Sequence, residues 1–298
     1  MKLYSSITVT VIFIAFLFLV TACSKRQIIY LPVVEDYLFA QNYDKKNLRV
    51  GVIAGPYGDM FMEAIMPPLE RMGYTAVLIH YNDFTSPNFA LAHHEIDLNI
   101  FQHYIYLGNF KFENDMALSA ISEIPTVSMG IYSNKYRSVS EFNRGITVSV
   151  PDDFTNLARA LIVLEDASII KLSPFIDKSK ATIDDIVSNP FQIRIVPIEA
   201  RRLADSLGIY DVSVINGNYA VSNGLKLSEA LYNEVLAENY VNVIAVRTED
   251  ISAPFVRDII NVLHSDEYKQ IIINPDGKFA DFQRPRSFVD RLKRRQVE

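Results

Sequence analysis

Residues 48–56 read LRVGVIAGP, and residues 57 and 58 continue with Tyr-Gly. Leu48 to Ala54 is a near-continuous apolar run, the pattern of a strand buried on both faces. Gly55-Pro56-Tyr57-Gly58 then breaks it as a loop. From Met60 to Met72 the apolar residues recur at helical spacing, and Gly73 supplies a C-cap. A buried strand, a glycine-proline turn and an amphipathic helix make the first half of a βα unit.

Outward from there the alternation repeats. The pattern predicts a strand at 75–80, a short helix opened by Ser86-Pro87 and a strand at 95–101. It continues with a strand at 124–133, a helix at 138–143, a strand at 147–151 and helices at 155–165 and 182–188. A strand at 192–198, a helix at 200–207, strands at 211–216 and 241–247, and helices at 252–263 and 266–273 complete it. Strands alternating with helices imply an α/β chain with largely parallel sheets. Strands fall in two groups, before residue 130 and between 145 and 216, which suggests two similar lobes. The basic run Arg284, Arg286, Arg291, Lys293, Arg294 and Arg295 reads as a solvated tail or helix face.

With 298 residues, 49% of them hydrophobic and 21% charged, the chain can bury a sizeable core. A net charge of −6 gives no footprint for a nucleic-acid partner. At the amino terminus, Ile7 to Val20 is apolar and preceded by Lys2, as in a signal peptide. It ends in Val20-Thr21-Ala22-Cys23, which resembles a bacterial lipobox. That resemblance implies cleavage after residue 22 and lipid, palmitate included, on Cys23, the only cysteine in the chain. Residues 1–22 are then a signal peptide and 23–46 a lipidated tether. Several acyl chains would hold the protein at a membrane, facing the periplasm or cell exterior.

Motifs for catalysis are missing. His93 and His94 are adjacent and so point about 100° apart on a helix, which cannot give a zinc pair at i, i+4. There is no His-Glu-x-x-His, no Gly-x-Ser-x-Gly elbow and no phosphate loop. Asp152-Asp153 and Asp184-Asp185 precede helices and read as caps. The chain is therefore expected not to be an enzyme, with no metal and no cofactor.

Recognition chemistry instead gathers at the carboxyl ends of strands, where open α/β sheets bind ligands. NIFQHYIYL (99–107), PDDFTNLAR (151–159) and VINGNYA (214–220) each follow a strand. Read alone, the first fits packed core or the wall of a pocket. Arg159 read alone fits a solvent-facing helix arginine pairing with Asp152 or Glu165, or a ligand donor.

Taken together, LRVGVIAGP, YNDFTSPNFAL (81–91), IDLNIFQHYIYL (96–107), VPDDFTNLARALIVLE (150–165), VINGNYA and YVNVIAVRTED (240–250) resemble the NLPA lipoproteins. These are the methionine-binding components of ABC importers. The resemblance implies a two-lobed type II periplasmic-binding-protein fold with two crossover strands, near 128–133 and 238–243. Lobe 1 would be discontinuous, 47–130 plus 241–298, and lobe 2 would be 131–240.

It also implies a site. Arg159 would grip the carboxylate of L-methionine or a related amino acid, with Asn216, Asn156 and Asn242 serving its polar groups. Phe101 and Tyr106 would face the thioether, with His103 beside them. An ABC permease would be the partner. Tyr104-Ile105 and Ser128-Met129 depart from the usual family residues at points expected to border the side-chain slot. D-methionine, another apolar amino acid, a methionine-containing dipeptide, or a surface-interaction role without transport are the alternatives these departures leave.

Overall fold

A computed structural model describes residues 45–294. The expected signal peptide, the lipidated Cys23 and nearly all of the 23–46 tether lie outside the described residues, as does Arg295. Among the described residues no helix is long and apolar enough to cross a membrane.

Two five-stranded sheets organise the chain. The first has the order β2-β1-β3-β12-β4, from β1 (Asn47–Ile53), β2 (Thr75–Tyr81), β3 (Leu98–His103), β4 (Leu118–Glu123) and β12 (Asn242–Arg247). The second has the order β11-β5-β10-β6-β9, from β5 (Gly130–Tyr132), β6 (Thr147–Pro151), β9 (Arg194–Ile198), β10 (Val212–Ile215) and β11 (Tyr232–Asn233). A two-stranded ribbon, β7 (Lys171–Leu172) and β8 (Ile186–Ser188), stands apart.

The sheets share a plan. In each, three strands run parallel: β2, β1 and β3 in one, β9, β6 and β10 in the other. In each, a strand arriving from the other sheet pairs antiparallel with the third: β12 on β3, and β5 on β10. The sheets are thus mixed rather than largely parallel. The chain passes between them at 124–129 and returns at 234–241.

Local chemistry explains several elements. The helix α1 opens as Tyr57–Met60, widens to a π-helical stretch at Phe61–Ile65 and finishes as Met66–Arg71. The widening sits just before Pro67-Pro68, whose rings lack N–H groups and crowd the carbonyls four residues back. Gly73 ends the helix with φ +85. The helix α2 (Ser86–Ala92) has its proline in the first turn, as its sequence requires.

Four expectations change. A strand at 124–133 gives way to β4 and β5, with 124–129 extended between them, where Thr126 pairs with Gln283. The segment 182–188 is a 3-10 turn, Ile183–Asp185, followed by β8. The segments at 138–143 and 200–207 are 3-10 turns rather than α-helices. Helices were unforeseen at α3 (Tyr104–Asn114) and α5 (Gly217–Ser222). α3 carries apolar residues on several sides, so its periodicity is weak. The remaining helices are α4 (Phe154–Asp166), α6 (Pro254–Leu263), α7 (Asp266–Ile273) and α8 (Arg286–Arg294).

Three apolar clusters fill the interior. One joins β1, α1, α6 and α7 and takes in Phe279, Phe282 and Phe288. The basic tail is therefore a docked helix: Phe288 is buried, Leu292 packs against the same cluster, the Arg291 guanidinium carbon lies 5.9 Å from the Phe288 ring centre, and Arg286 is exposed. A second fills the other sheet around α4. The third spans both sheets, bringing Ile53, Phe101 and Tyr106 against Tyr132, Leu203 and Tyr219.

Candidate functional site

Where the sheets meet, a narrow cavity lies at the carboxyl ends of β3, β6 and β10, with about 20 Å³ of room for the centre of a water-sized molecule and about 340 Å³ of atom-free space once its solvent-open mouth is included. Phe101, His103, Tyr106, Asn156, Arg159, Asn216 and Asn242 all line it. Tyr57, Phe84, Val127 and Asn218 share the wall.

β3 makes one side. Phe101, Gln102 and His103 all border the cavity, and the pairing of β3 with β12 is irregular beside them. The Gln102 side chain bonds Asn88 and Asn99 in a buried amide cluster. At His103 the backbone stops being a strand and becomes the N-cap of α3: Nδ1 accepts the Tyr106 amide at 3.2 Å. With Nδ1 an acceptor, Nε2 carries the proton of the neutral ring and donates to Asn156 Oδ1 at 3.4 Å. Burial, and then the charge of Arg159, hold the His103 pKa well below its ordinary 6.5. His103 thus acts as a helix cap on one side and a bridge to Asn156 on the other. Among the described residues no cluster of candidate metal ligands exists.

The aromatic end is tightly built. Phe84 stacks on Phe101 at 6.2 Å and meets Tyr106 edge-on at 5.8 Å. Phe101 and Tyr106 stand at 69° to each other.

The other side comes from α4 and α5. Asp153 caps α4, accepting the Asn156 amide at 3.0 Å and the Asn156 side-chain nitrogen with both oxygens. That fixes Asn156 with Oδ1 toward the cavity, where Asn216 Nδ2 donates to it at 2.8 Å. Asn216 Oδ1 is left buried with no partner. A buried acceptor in this position costs free energy unless something donates to it. Burial raises the Asp153 pKa to about 6, against the hydrogen bonds that lower it. Asn242 pairs with His103 across the sheet and holds its orientation by donating to the Phe101 carbonyl at 3.0 Å.

Arg159 is 4% exposed and pairs with neither Asp152 nor Glu165. Its Nε and Nη2 donate to Glu234 at 2.8 and 2.6 Å. The Tyr240 ring lies 5.2 Å from the guanidinium carbon. No described residue accepts from Nη1.

Three site neighbours escaped the sequence reading. Phe84 lies inside YNDFTSPNFAL and Tyr57 inside the Gly-Pro-Tyr-Gly loop, so signals existed. Burial pushes the Tyr57 hydroxyl up to about 12, and it accepts the Val127 amide at 3.1 Å. Glu234 lies 75 positions from Arg159 in a segment with no local pattern. The departures at Tyr104-Ile105 and Ser128-Met129 fall outside the cavity wall. Tyr104 is 40% exposed, and Met129 is wholly buried in the core of the second sheet.

The family profile described as NlpA lipoprotein matches residues 48–281. The chain belongs to the NlpA lipoprotein family. Outer membrane lipoprotein 3 of Mannheimia haemolytica is 35% identical over 78% of this chain and 88% of that protein. D-methionine-binding lipoprotein MetQ of Escherichia coli K12 is 33% identical over 75% of this chain and 83% of its own length. Among solved structures, a nutrient binding protein from Burkholderia cenocepacia bound to methionine superposes with a TM-score of 0.72. It is 31% identical, with 76% of this chain and 95% of that one covered. A periplasmic substrate-binding protein of an ABC transporter from Coxiella burnetii also gives 0.72, at 35% identity, covering 79% and 100%. The architecture of this NlpA-family chain is accordingly the two-lobed type II periplasmic-binding-protein fold with two crossover strands.

Proposed function

We propose that this NlpA-family protein is a lipid-anchored solute-binding protein outside the cytoplasm, which captures methionine or a close analogue and delivers it to an ABC permease. One observation carries the ligand assignment. The cavity is polarised, with Arg159 and the unpartnered Asn216 Oδ1 at one end and Phe84, Phe101 and Tyr106 at the other. An α-amino acid with an apolar, polarisable side chain complements both ends. Its ammonium would donate to Asn216, its carboxylate would meet Arg159 Nη1, and its thioether would lie among the rings. The methionine-bound relative supports the same class of ligand.

Capture would proceed by closure. Residues 47–130 plus 241–298 would move against 131–240, with 124–129 and 234–241 absorbing the rotation. The ligand would stabilise the closed state because Phe101 and Tyr106 belong to one side and Arg159 and Asn216 to the other. Cys23, acylated, would keep the protein at the membrane beside its permease.

The test is mass spectrometry of small molecules released from purified, denatured protein, followed by calorimetry on refolded, ligand-free protein. Release of methionine or an analogue near one per chain, and its rebinding, is the expected result. An empty cavity that also fails to titrate with L- or D-methionine overturns the proposal.

A further inference from the structure

The Arg159–Glu234 pair is the least expected feature of the site. Both side chains are 5% exposed, far from the water that would otherwise solvate them. A buried ion pair adds little stability of its own, because desolvation offsets attraction. Its geometry is therefore informative. Glu234 occupies the Nε–Nη2 edge of the guanidinium and leaves Nη1, which no described residue takes. The same carboxylate accepts the Met129 amide at 3.0 Å, and the Glu234 amide donates back to the Met129 carbonyl at 2.9 Å. Met129 ends one passage between the sheets and Glu234 begins the other.

A strap holds that junction. The backbone of Gln283 exchanges two 2.9 Å hydrogen bonds with Thr126. Its side-chain nitrogen donates to Ser128 Oγ and, at 2.6 Å, to the Glu234 carbonyl. Its side-chain oxygen accepts the Leu236 amide at 2.9 Å. Every polar group of Gln283 thus bonds residues of the two passages. Tyr240, farther along the second passage, closes the circuit by lying against both the Arg159 guanidinium and His103.

We infer that Glu234 is a positioning residue for ligand binding: it clamps Arg159 so that Nη1 faces the cavity, and it joins that clamp to the segments about which the sheets close. The inference rests on the reading of Arg159 as the carboxylate donor. An arginine side chain is long and rotamer-rich, so a preformed bidentate partner removes much of the ordering cost of ligand capture. Ligand carboxylate at Nη1 then reports, through one guanidinium and one glutamate, on the junction of the two passages.

The test is calorimetry of the full chain with two probes, L-methionine and L-methioninamide, which lacks the carboxylate. Glu234→Gln should weaken methionine roughly ten-fold or more while moving methioninamide less than about two-fold, because only the carboxylate contact runs through Arg159. In an Arg159→Met background the same change should add no further loss for methionine. If Glu234→Gln does not fold, Glu234→Asp carries the test. It keeps the charge, shortens the reach, and should show the same selective loss. Equal weakening of both probes, or unchanged methionine affinity, overturns the inference. Arg159→Met that retains full methionine affinity overturns the reading of Arg159 itself. Arg159→Met weakened while Glu234→Gln is not overturns the role of Glu234 alone.

Discussion

Asp153 places two demands on one carboxylate. It must accept three hydrogen bonds from Asn156, and it must do so partly buried beside Asp152. Burial prevails, and its pKa rises from 3.8 to about 6. The folded state then holds this proton more tightly than the unfolded chain. Between about pH 4 and 6 the folded protein binds more protons at this site, so its contribution makes stability fall as pH rises through that window. Asp83, Asp97 and Asp211, with lowered values, act in the opposite sense. Asp153→Asn keeps a competent N-cap without the charge. We predict that it gains about 1 kcal/mol over wild type at pH 7 and that the gain vanishes near pH 4, measured by denaturant melts across that range. A difference independent of pH would contradict the assignment. At this scale the sequence was informative wherever a residue type suits its task locally. Arg159, Asn156 and Asn216 lie at strand ends followed by helix starts, and the resemblance to the NlpA family implied their place in the site. Glu234 could not be named, because nothing in its neighbours encodes a partner brought in from the other passage.

Among the elements, NIFQHYIYL is where strand becomes helix, at His103. The period switches from two to 3.6 within a single apolar stretch, which is why α3 stayed hidden in the sequence. The short α5 shows the complementary case. Gly217 opens it, and a Cβ there would strike the Ser128 carbonyl oxygen and the Val127 side chain. The glycine lets the first passage lie against the helix that presents Asn216. Gly217→Ala should destabilise the protein by about 1–3 kcal/mol, since the obstacle includes backbone that cannot easily shift. It should also weaken methionine binding by displacing Asn216. Equilibrium unfolding and calorimetry on the same sample check both. A fully stable Gly217→Ala with native affinity would mean that the close approach is not required. The 3-10 turns at Ile183–Asp185, Ala200–Arg202 and Asp205–Gly208 resemble helices in sequence for a related reason. Capping residues and apolar spacing signal a start but do not fix how many turns follow.

At the scale of the whole molecule, the proposed anchor at Cys23 lies apart in sequence from the residues that line the cavity. Cys23→Ala should move the protein from the membrane to the soluble fraction and abolish labelling by radioactive palmitate, while leaving methionine affinity unchanged. Label or membrane association that persists in this variant would argue against a lipid anchor at Cys23. The sequence by itself determined the α/β alternation, and its resemblances implied a lipobox and pointed to the seven residues that now line one cavity. Those properties live in local pattern: apolar period, turn chemistry and side-chain type. Only the tertiary structure decided that the sheets are mixed, that Arg286–Arg294 form a docked helix, and that Arg159 is held by Glu234. Each of those depends on which distant segments share an edge or a buried charge. Pairing of this kind is set by the closure of the whole chain around its cores, and no window of sequence contains it.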